Sequence, residues 1–246
     1  MTYCVGLLLN KGLVFMSDTR TNAGVDDIAT VKKTRSWEVK GDRVITVMTA
    51  GNLATTQAVI SLLDERSSNP EKGAISILTA PTMFQIARLV GDTLEEVIQA
   101  NTNSGQTPRS TFNATMILGG QVAGLPPQLF LIYPEGNFIA AQDDSPFFQI
   151  GETKYGKPIL VREKEPEMSF GDAVRLLLVS FDSTIKANLS VGLPLDLTTY
   201  ETDSLQLGKQ KRFTRDDKYL QDVCPNWGRA LKKALSDLPT YKFDDC

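Results

Sequence analysis

The sequence predicts an α+β fold, and three observations support that prediction. Two short apolar runs near the N-terminus, residues 2–9 and 13–18, have the length and branched side chains of β-strands. Two longer segments, 52–65 and 79–101, place apolar residues at helical spacing. Gly and Pro turns separate further short strands, which we expect to form a meander in a second sheet, at 115–118, 128–133, 137–141 and 147–150.

The two N-terminal runs are predicted to pair as a hairpin. Asn10, Lys11 and Gly12 between them give a tight-turn signal, with Gly available for a positive φ. Antiparallel pairing would bring Thr2, at the start of the first strand, close to Asp18, at the end of the second. Lys33 would have to return to the same end of the sheet after the loop that follows.

Residues 43–49 form another predicted strand, which ends where a helix begins. Gly51 stands at this junction, and backbone N–H groups at the start of a helix lack intrahelical partners. Such a group can receive a developing negative charge, although a glycine is also suited to a sharp turn without any chemical role.

The second half of the chain predicts a helix, a hairpin and a helical C-terminal segment. Ser169 with Asp172 three positions later indicates a helix N-cap. Strands are expected at 195–201 and 204–207. Helical spacing over 216–238 is interrupted by Pro225, so we expect a break at 224–226.

Composition limits the possible chemistry. At 246 residues and 41% hydrophobic content, the chain suits one large domain or two small ones. A net charge of −3 gives no electrostatic case for binding nucleic acid or an acidic membrane. The absence of histidine excludes Ser–His and Cys–His nucleophile systems and His-ligated zinc, and we predict neither a metal nor a cofactor.

The cysteines and the N-terminus favour a cytoplasmic location. Cys4, Cys224 and Cys246 are odd in number and lack the CxxC spacing of metal knuckles, so no disulfide framework is predicted. The N-terminus has neither a basic region nor a long apolar stretch, and we therefore expect no secretion signal or membrane span.

Thr2 follows Met1 directly, and removal of that methionine would place a hydroxyl and a free α-amine on one residue. A threonine hydroxyl needs an adjacent base, and its own amine is one recognised solution. A buried Lys33 ammonium would favour the alkoxide, and Asp18 would keep that lysine charged and oriented. The three residues therefore form a candidate catalytic set.

The sequence contains the motifs Thr2, Ser17-Asp18-Thr19-Arg20, Ala23-Gly24, Val31-Lys32-Lys33 and Thr49-Ala50-Gly51. These motifs resemble those of the β-subunits of the proteasome. The opening residues 2–6, the Lys32-Lys33 pair and the segment 188–194 resemble most the bacterial Anbu family, the ancestral β-subunit. The resemblance is strong over 2–57 and weaker to about 210. It implies an N-terminal-nucleophile hydrolase with a four-layer αββα sandwich, in which two antiparallel sheets lie between helix layers.

The resemblance also implies roles for individual residues. It assigns the inward position of the lysine pair to Lys33 and an oxyanion-binding N–H to Gly51. It gives the substrate pocket a mixed lining without a clean preference, formed by Thr21, Val31, Arg35, Thr49 and Leu53. It further implies a single domain over 1–246, with a core at about 2–210 and a helical extension and tail at about 211–246.

Two positions depart from the proteasome pattern. Glu152 stands where a serine helps to hold the catalytic amine, and its carboxylate would raise the pKa of that amine. Asn188 or Ala187 stands where an aspartate supports the threonine, whereas Ser190 matches the supporting serine. We expect these departures to weaken or retune activity.

Three functions remain open from the sequence. The first is a threonine peptidase that acts on peptides or unfolded proteins through an acyl-enzyme on Thr2. The second is a hydrolase of small amides with the same nucleophile, and the third is a catalytically silent subunit used for assembly. Family resemblance implies a homo-oligomer, ring-like or helical, whereas a partner ATPase cannot be inferred.

Overall fold

The computed structural model describes residues 2–22, 28–68, 75–102, 108–163 and 165–242. Sequence predictions that concern Met1, Ala23-Gly24 and Cys246 therefore lie outside the described residues. The strands are β1 Tyr3–Leu9, β2 Gly12–Asp18, β3 Arg20–Asn22, β4 Ile28–Thr30, β5 Thr34–Val39, β6 Arg43–Gly51, β7 Ala114–Val122, β8 Gln128–Ile132, β9 Phe138–Ala140, β10 Phe147–Gly151, β11 Leu195–Glu201 and β12 Gln210–Phe213. The helices are α1 Leu53–Ser68, α2 Met83–Thr102, α3 Lys157–Glu163, α4 Phe170–Ala187 and α5 Lys218–Ser236.

Two antiparallel sheets form the centre of the molecule. The first has the strand order β10-β1-β2-β11-β12 and the second has the order β5-β6-β7-β8-β9. Strands β3 and β4 pair separately as a short ribbon. Both main sheets bury residues on their two faces, which requires a layer on each side.

Three apolar clusters fill the spaces between four layers. One joins the second sheet to α1 and α2, with Ile45 and Val90 among its members. A middle cluster joins the two sheets, where Phe15 of the first meets Ile117 of the second. The third joins the first sheet to α3, α4 and the start of α5. The fold is therefore the four-layer αββα sandwich that the resemblance implied.

The hairpin predicted at the N-terminus is confirmed. Cys4 pairs with Ser17 and Leu9 with Gly12, so the turn falls at residues 10–11. The predicted N-cap is also confirmed, because the Ser169 side chain accepts from the Asp172 N–H at the start of α4. Both features depend on local chemistry that the sequence displays directly.

Three predictions of local structure were wrong. Strand β10 pairs with β1 in the first sheet and does not continue the meander of the second. Residues 204–207 lie in the turn after β11, where Asp203 and Leu205 have positive φ values of 62° and 44°, and the returning strand is β12. Helix α5 continues through Pro225.

The continuity of α5 has a simple physical reason. Proline removes one N–H and crowds the carbonyl four residues earlier, but packing elsewhere can offset this cost. The N-terminal half of α5 packs against the third cluster through Leu220, Val223 and Cys224, and the Asp217 side chain caps it by accepting from the Leu220 N–H. Within the described residues, no helix is long and apolar enough to cross a membrane.

Candidate active site

The ends of β1 and β2 bring Thr2 and Asp18 to one edge of the first sheet. Asp18 is fully buried, and its Oδ1 accepts from the Tyr3 N–H at 2.9 Å. Because Tyr3 follows Thr2 in the chain, this bond fixes the backbone next to the predicted nucleophile. Thr2 itself is 9% exposed, so it lies at the edge of the core rather than on an open surface.

Lys33 meets the same carboxylate. Its Nζ lies 2.6 Å from Asp18 Oδ1 and also donates to the backbone carbonyl of Arg20 at 2.6 Å. Lys33 is buried and its neighbour Lys32 is exposed. Both lysines lie in the connection between β4 and β5, and the inward position is that of Lys33.

The environment of Asp18 contains opposing influences on its pKa. Burial raises the pKa of the carboxyl, whereas the Lys33 ammonium and the N–H groups of Tyr3 and Gly192 lower it. The Gly192 N–H lies 3.4 Å from Oδ2, so both carboxylate oxygens have donors. We assign the charged pair, because a neutral Asp18 would leave a buried ammonium without its counter-ion.

The alternation of the β6 backbone places the Gly51 N–H on the β5 side of the strand. Asn52 N–H donates to Asn113 C=O across the β6–β7 ladder at 3.0 Å, and hydrogen-bonded pairs alternate along an antiparallel ladder. The Gly51 N–H must therefore face the opposite side, as the Thr49 N–H does when it donates to Lys33 C=O at 3.0 Å. Gly51 is exposed and has a φ of 116°, a conformation that favours glycine.

Glu152 and Asn188 also meet beside the N-terminal strand. The Glu152 N–H donates to the carbonyl of Thr2 at 2.6 Å. The buried Glu152 carboxylate accepts from Asn188 Nδ2 at 2.9 Å and from the Lys154 N–H at 3.1 Å. Asn188 Oδ1 in turn accepts from the Ser190 N–H at 2.9 Å. The three predicted supporting residues therefore form one connected group that contacts Thr2 through Glu152.

A cavity of about 430 Å³, here called the inner cavity, opens beside Lys33 between β5, β6 and α1. Four of the five predicted pocket residues line it: Val31, Arg35, Thr49 and Leu53. Thr21 does not line it and lies on the β3–β4 ribbon instead, where it pairs with Ala29. Arg35 lies at the rim of the cavity, where its Nη2 forms a salt bridge with Asp64 Oδ1 at 3.1 Å. Both side chains of this salt bridge are partly exposed to solvent.

Sequence reasoning missed the backbone groups that complete the site. The Arg20 carbonyl and the Gly192 N–H bind the Asp18–Lys33 pair, and Gly151 adopts a φ of 83° directly beside Thr2. Backbone contacts leave little trace in residue type, although Gly192 was within the segment that carried the resemblance. Cys4 is fully buried near Thr49, and burial raises the pKa of its thiol, which makes it an inert core residue.

The four-layer sandwich with this arrangement at its N-terminal strand is that of the N-terminal-nucleophile hydrolases, the class to which proteasome subunits belong. No family model and no curated protein matched the sequence. Several solved structures are similar to this chain over nearly its whole length.

An Anbu mutant from Hyphomicrobium sp. strain MC1 is 48% identical, with a TM-score of 0.91 over 98% of this chain and 100% of that one. Anbu from Yersinia bercovieri is 43% identical, with a TM-score of 0.91 over 98% and 100% of the two chains. The Anbu chain in a helical assembly from Pseudomonas aeruginosa is 45% identical, with a TM-score of 0.91 over 98% and 99%. The chain belongs to the Anbu family of proteasome-like ancestral β-subunits.

Proposed function

We propose that the chain is a threonine-type N-terminal-nucleophile peptidase that becomes active when Met1 is removed. The observation that carries the proposal is the shared carboxylate oxygen of Asp18. It accepts from the Tyr3 N–H and from Lys33 Nζ, so the ammonium is held against the residue that follows Thr2.

Each group then has a defined task in the reaction. The Thr2 hydroxyl attacks the carbonyl carbon of the peptide bond, and its proton passes to the α-amine of Thr2. The Lys33 ammonium stabilises the alkoxide as it forms, while Asp18 maintains the charge and direction of Lys33. The amine returns the proton to the leaving nitrogen, and water then hydrolyses the acyl-enzyme.

The Gly51 N–H is the proposed donor to the oxyanion of the tetrahedral intermediate. Its position on the β5 side of β6, the side on which the Thr49 N–H donates to the Lys33 carbonyl, supports this role. A donor of this kind contributes on the order of 3–4 kcal/mol to lowering the barrier.

Glu152 supports a second candidate, an assembly subunit with weak or no catalysis. A carboxylate close to the α-amine would hold it as ammonium and make it a poorer base. However, both Glu152 oxygens already accept hydrogen bonds, from Asn188 Nδ2 and the Lys154 N–H. We therefore propose that Glu152, Asn188 and Ser190 position the N-terminal strand, and we retain the peptidase as the first candidate.

We also propose that the chain self-associates, as a ring or a helical array. The relative from Pseudomonas aeruginosa was solved as a helical assembly. The distal half of α5 and the residues after it expose large apolar side chains, with Leu235, Leu238 and Tyr241 more than 60% exposed. We propose that a second copy of the chain covers this surface. The exposed apolar residues continue the apolar stripe by which the N-terminal half of α5 packs onto α4.

The proposed location is the cytoplasm, since Cys4 and Cys224 are free thiols in the described part of the chain.

The test is the intact mass of the purified chain before and after incubation with a peptide epoxyketone, which requires both the hydroxyl and the free amine of Thr2. We expect the loss of Met1 and one stoichiometric adduct. Thr2→Ser should still form the adduct, and Thr2→Ala should not. A trimmed chain that forms no adduct would contradict the peptidase proposal and favour the assembly subunit.

A further inference from the structure

A second cavity, here called the outer cavity, lies on the other side of the chain segment that carries Lys33. It has a volume of about 290 Å³ and opens between the edge strand β5 of one sheet and β11 and β12 of the other. The charged residues around it are Lys32, Asp196, Lys211 and Arg212, and the neutral polar ones include Ser36, Thr198 and Gln210. Lys32 and Thr34 line both the outer and the inner cavity, so the two cavities are neighbours.

The wall between the sheets beside this cavity is fixed. Ser17 Oγ and Thr34 Oγ1 are hydrogen-bonded at 3.0 Å, and both residues are buried. Ser17 directly precedes Asp18 in β2, and Ser17 is the residue that pairs with Asp196 of β11. The outer cavity therefore lies at the catalytic end of the sandwich and not at a remote edge.

Most of the cations around the two cavities already have acidic partners. Arg212 makes a bidentate contact with Asp196 at 2.6 and 2.8 Å, and Lys211 contacts Asp217 at 2.8 Å. On the inner side, Lys33 is paired with Asp18 and Arg35 with Asp64. Among the described residues, Lys32 makes no ion pair and no hydrogen bond from its side chain.

Lys32 is thus a cation at the boundary between two cavities that has no acidic partner within the described part of the chain, whose net charge is −3. The outer cavity adds neutral groups that suit a carboxylate, namely the Gln210 amide and the hydroxyls of Ser36 and Thr198. Charge-assisted hydrogen bonds of the ammonium–carboxylate type are the stronger ones in proteins. Acidic groups would be favoured here over neutral ones of the same shape.

We propose that the outer cavity is a substrate subsite for a carboxylate, which Lys32 binds while the scissile amide lies at Thr2. The inference rests on the proposed function and names its substrate class: peptides with an acidic side chain or a terminal carboxylate near the cleaved bond. Lys32 is then a specificity residue, distinct from the Lys33 that acts on the nucleophile.

The test measures dissociation constants by NMR titration of the full chain at constant ionic strength, without turnover. Three probes separate the sources of the carboxylate. N-acetylglutamate α-amide carries only the side-chain carboxylate, N-acetylglutamine only the terminal one, and N-acetylglutamine α-amide neither. We expect one acidic probe to bind roughly tenfold more tightly than the neutral probe, and the identity of that probe assigns the source.

Variants locate the site. Lys32→Met should abolish the preference for the acidic probe, and Gln210→Ala should reduce its affinity a few-fold. Lys40→Met is the matched control, because it removes the same charge just beyond the other end of β5 and should leave binding unchanged. Equal affinity for acidic and neutral probes, or a preference that persists in Lys32→Met, would overturn the proposal.

Dependence on Lys32 without any effect at Gln210 would instead assign the carboxylate to the inner cavity and contradict the outer one. Failure of Thr2 to form the epoxyketone adduct, together with Lys32-dependent binding, would contradict the peptidase function and leave the binding site intact. The two proposals can therefore fail separately.

Discussion

Asp18 links Tyr3, the residue next to the proposed nucleophile Thr2, to the buried Lys33. Its two oxygens receive the Tyr3 N–H, the Lys33 ammonium and the Gly192 N–H, which come from three separate segments of the chain. Removal of one partner from a buried ion pair leaves an uncompensated charge, which is far more costly than loss of a surface pair. The pair therefore contributes to the local order of the chain, in addition to its proposed catalytic role.

The buried phenol of Tyr3 should make the free energy of unfolding depend on pH. Burial raises the pKa of Tyr3 to about 12, and its hydroxyl contacts Ser180 Oγ at 2.7 Å and Gln149 Nε2 at 2.5 Å. Below pH 10 the phenol is neutral in both states. Above pH 10 the unfolded chain ionises first, so we expect the free energy of unfolding to fall by on the order of 2–3 kcal/mol between pH 10 and 12.

Urea unfolding of the wild type and of Tyr3→Phe at several pH values measures this effect. At pH 7 the variant should be less stable by roughly 1–2 kcal/mol, because the two hydroxyl contacts are lost. Between pH 10 and 12 the variant should lose less stability than the wild type, because it has no phenol to ionise. Other buried groups such as Cys4 are present in both proteins and do not contribute to this difference. Parallel curves for the two proteins would contradict the buried-phenol explanation.

At the scale of elements, the edge pairing of β1 with β10 positions Thr2. Tyr3 pairs with Gly151, and Gly151 has a φ of 83°. A Cβ at this position would lie 1.9 Å from the Thr2 carbonyl oxygen and 3.2 Å from the Thr2 Cβ. The absence of a side chain at residue 151 is therefore what permits this approach of the two strands.

We expect Gly151→Ala to destabilise the chain and to slow epoxyketone labelling of Thr2. Gly124→Ala is the matched control, because Gly124 has a similar φ of 76° and nothing within 4 Å of an added Cβ. The control should cost about 1–2 kcal/mol from backbone strain alone, and Gly151→Ala should cost roughly 1–3 kcal/mol more from the clash. Equal stabilities and equal labelling rates of the two variants would show that the close approach is unimportant.

At the scale of the whole molecule, the described part of α5 carries an exposed apolar stripe beyond its packed N-terminal half. Helix α5 buries Leu220 against the core, whereas Leu231 and Leu235 farther along are 49% and 71% exposed. Isolated apolar side chains are common on protein surfaces, but a stripe along one helix is typical of an interface.

We expect Leu235→Asp to shift the chain toward monomers in sedimentation velocity, because a buried carboxylate would oppose association. Leu125→Asp, in the turn after β7, is the control with a partly exposed leucine away from α5 and should leave the sedimentation profile unchanged. An unchanged profile for Leu235→Asp would exclude this face of α5 from the assembly.

Thermal unfolding of the monomeric variant in one transition would support the proposed single domain.

The sequence by itself determined the features that depend on neighbours along the chain. The β1–β2 hairpin follows from alternating apolar runs around a Gly-containing turn, and the N-cap at Ser169 from a hydroxyl and an acidic residue at the right spacing. Family motifs also identified Thr2, Asp18 and Lys33, which the structure brings to one end of the first sheet. Their catalytic roles remain predictions.

Only the tertiary structure decided the features that depend on distant segments. It joined β10 to β1, a pairing between residues almost 150 positions apart that no local pattern encodes. It placed the Gly51 N–H on the β5 side of β6, connected Glu152 to Asn188, and left Lys32 between two cavities with no acidic partner among the described residues. Strand pairing, backbone direction and charge balance are set by which segments meet in space, whereas residue type and spacing set only the local conformation of each segment.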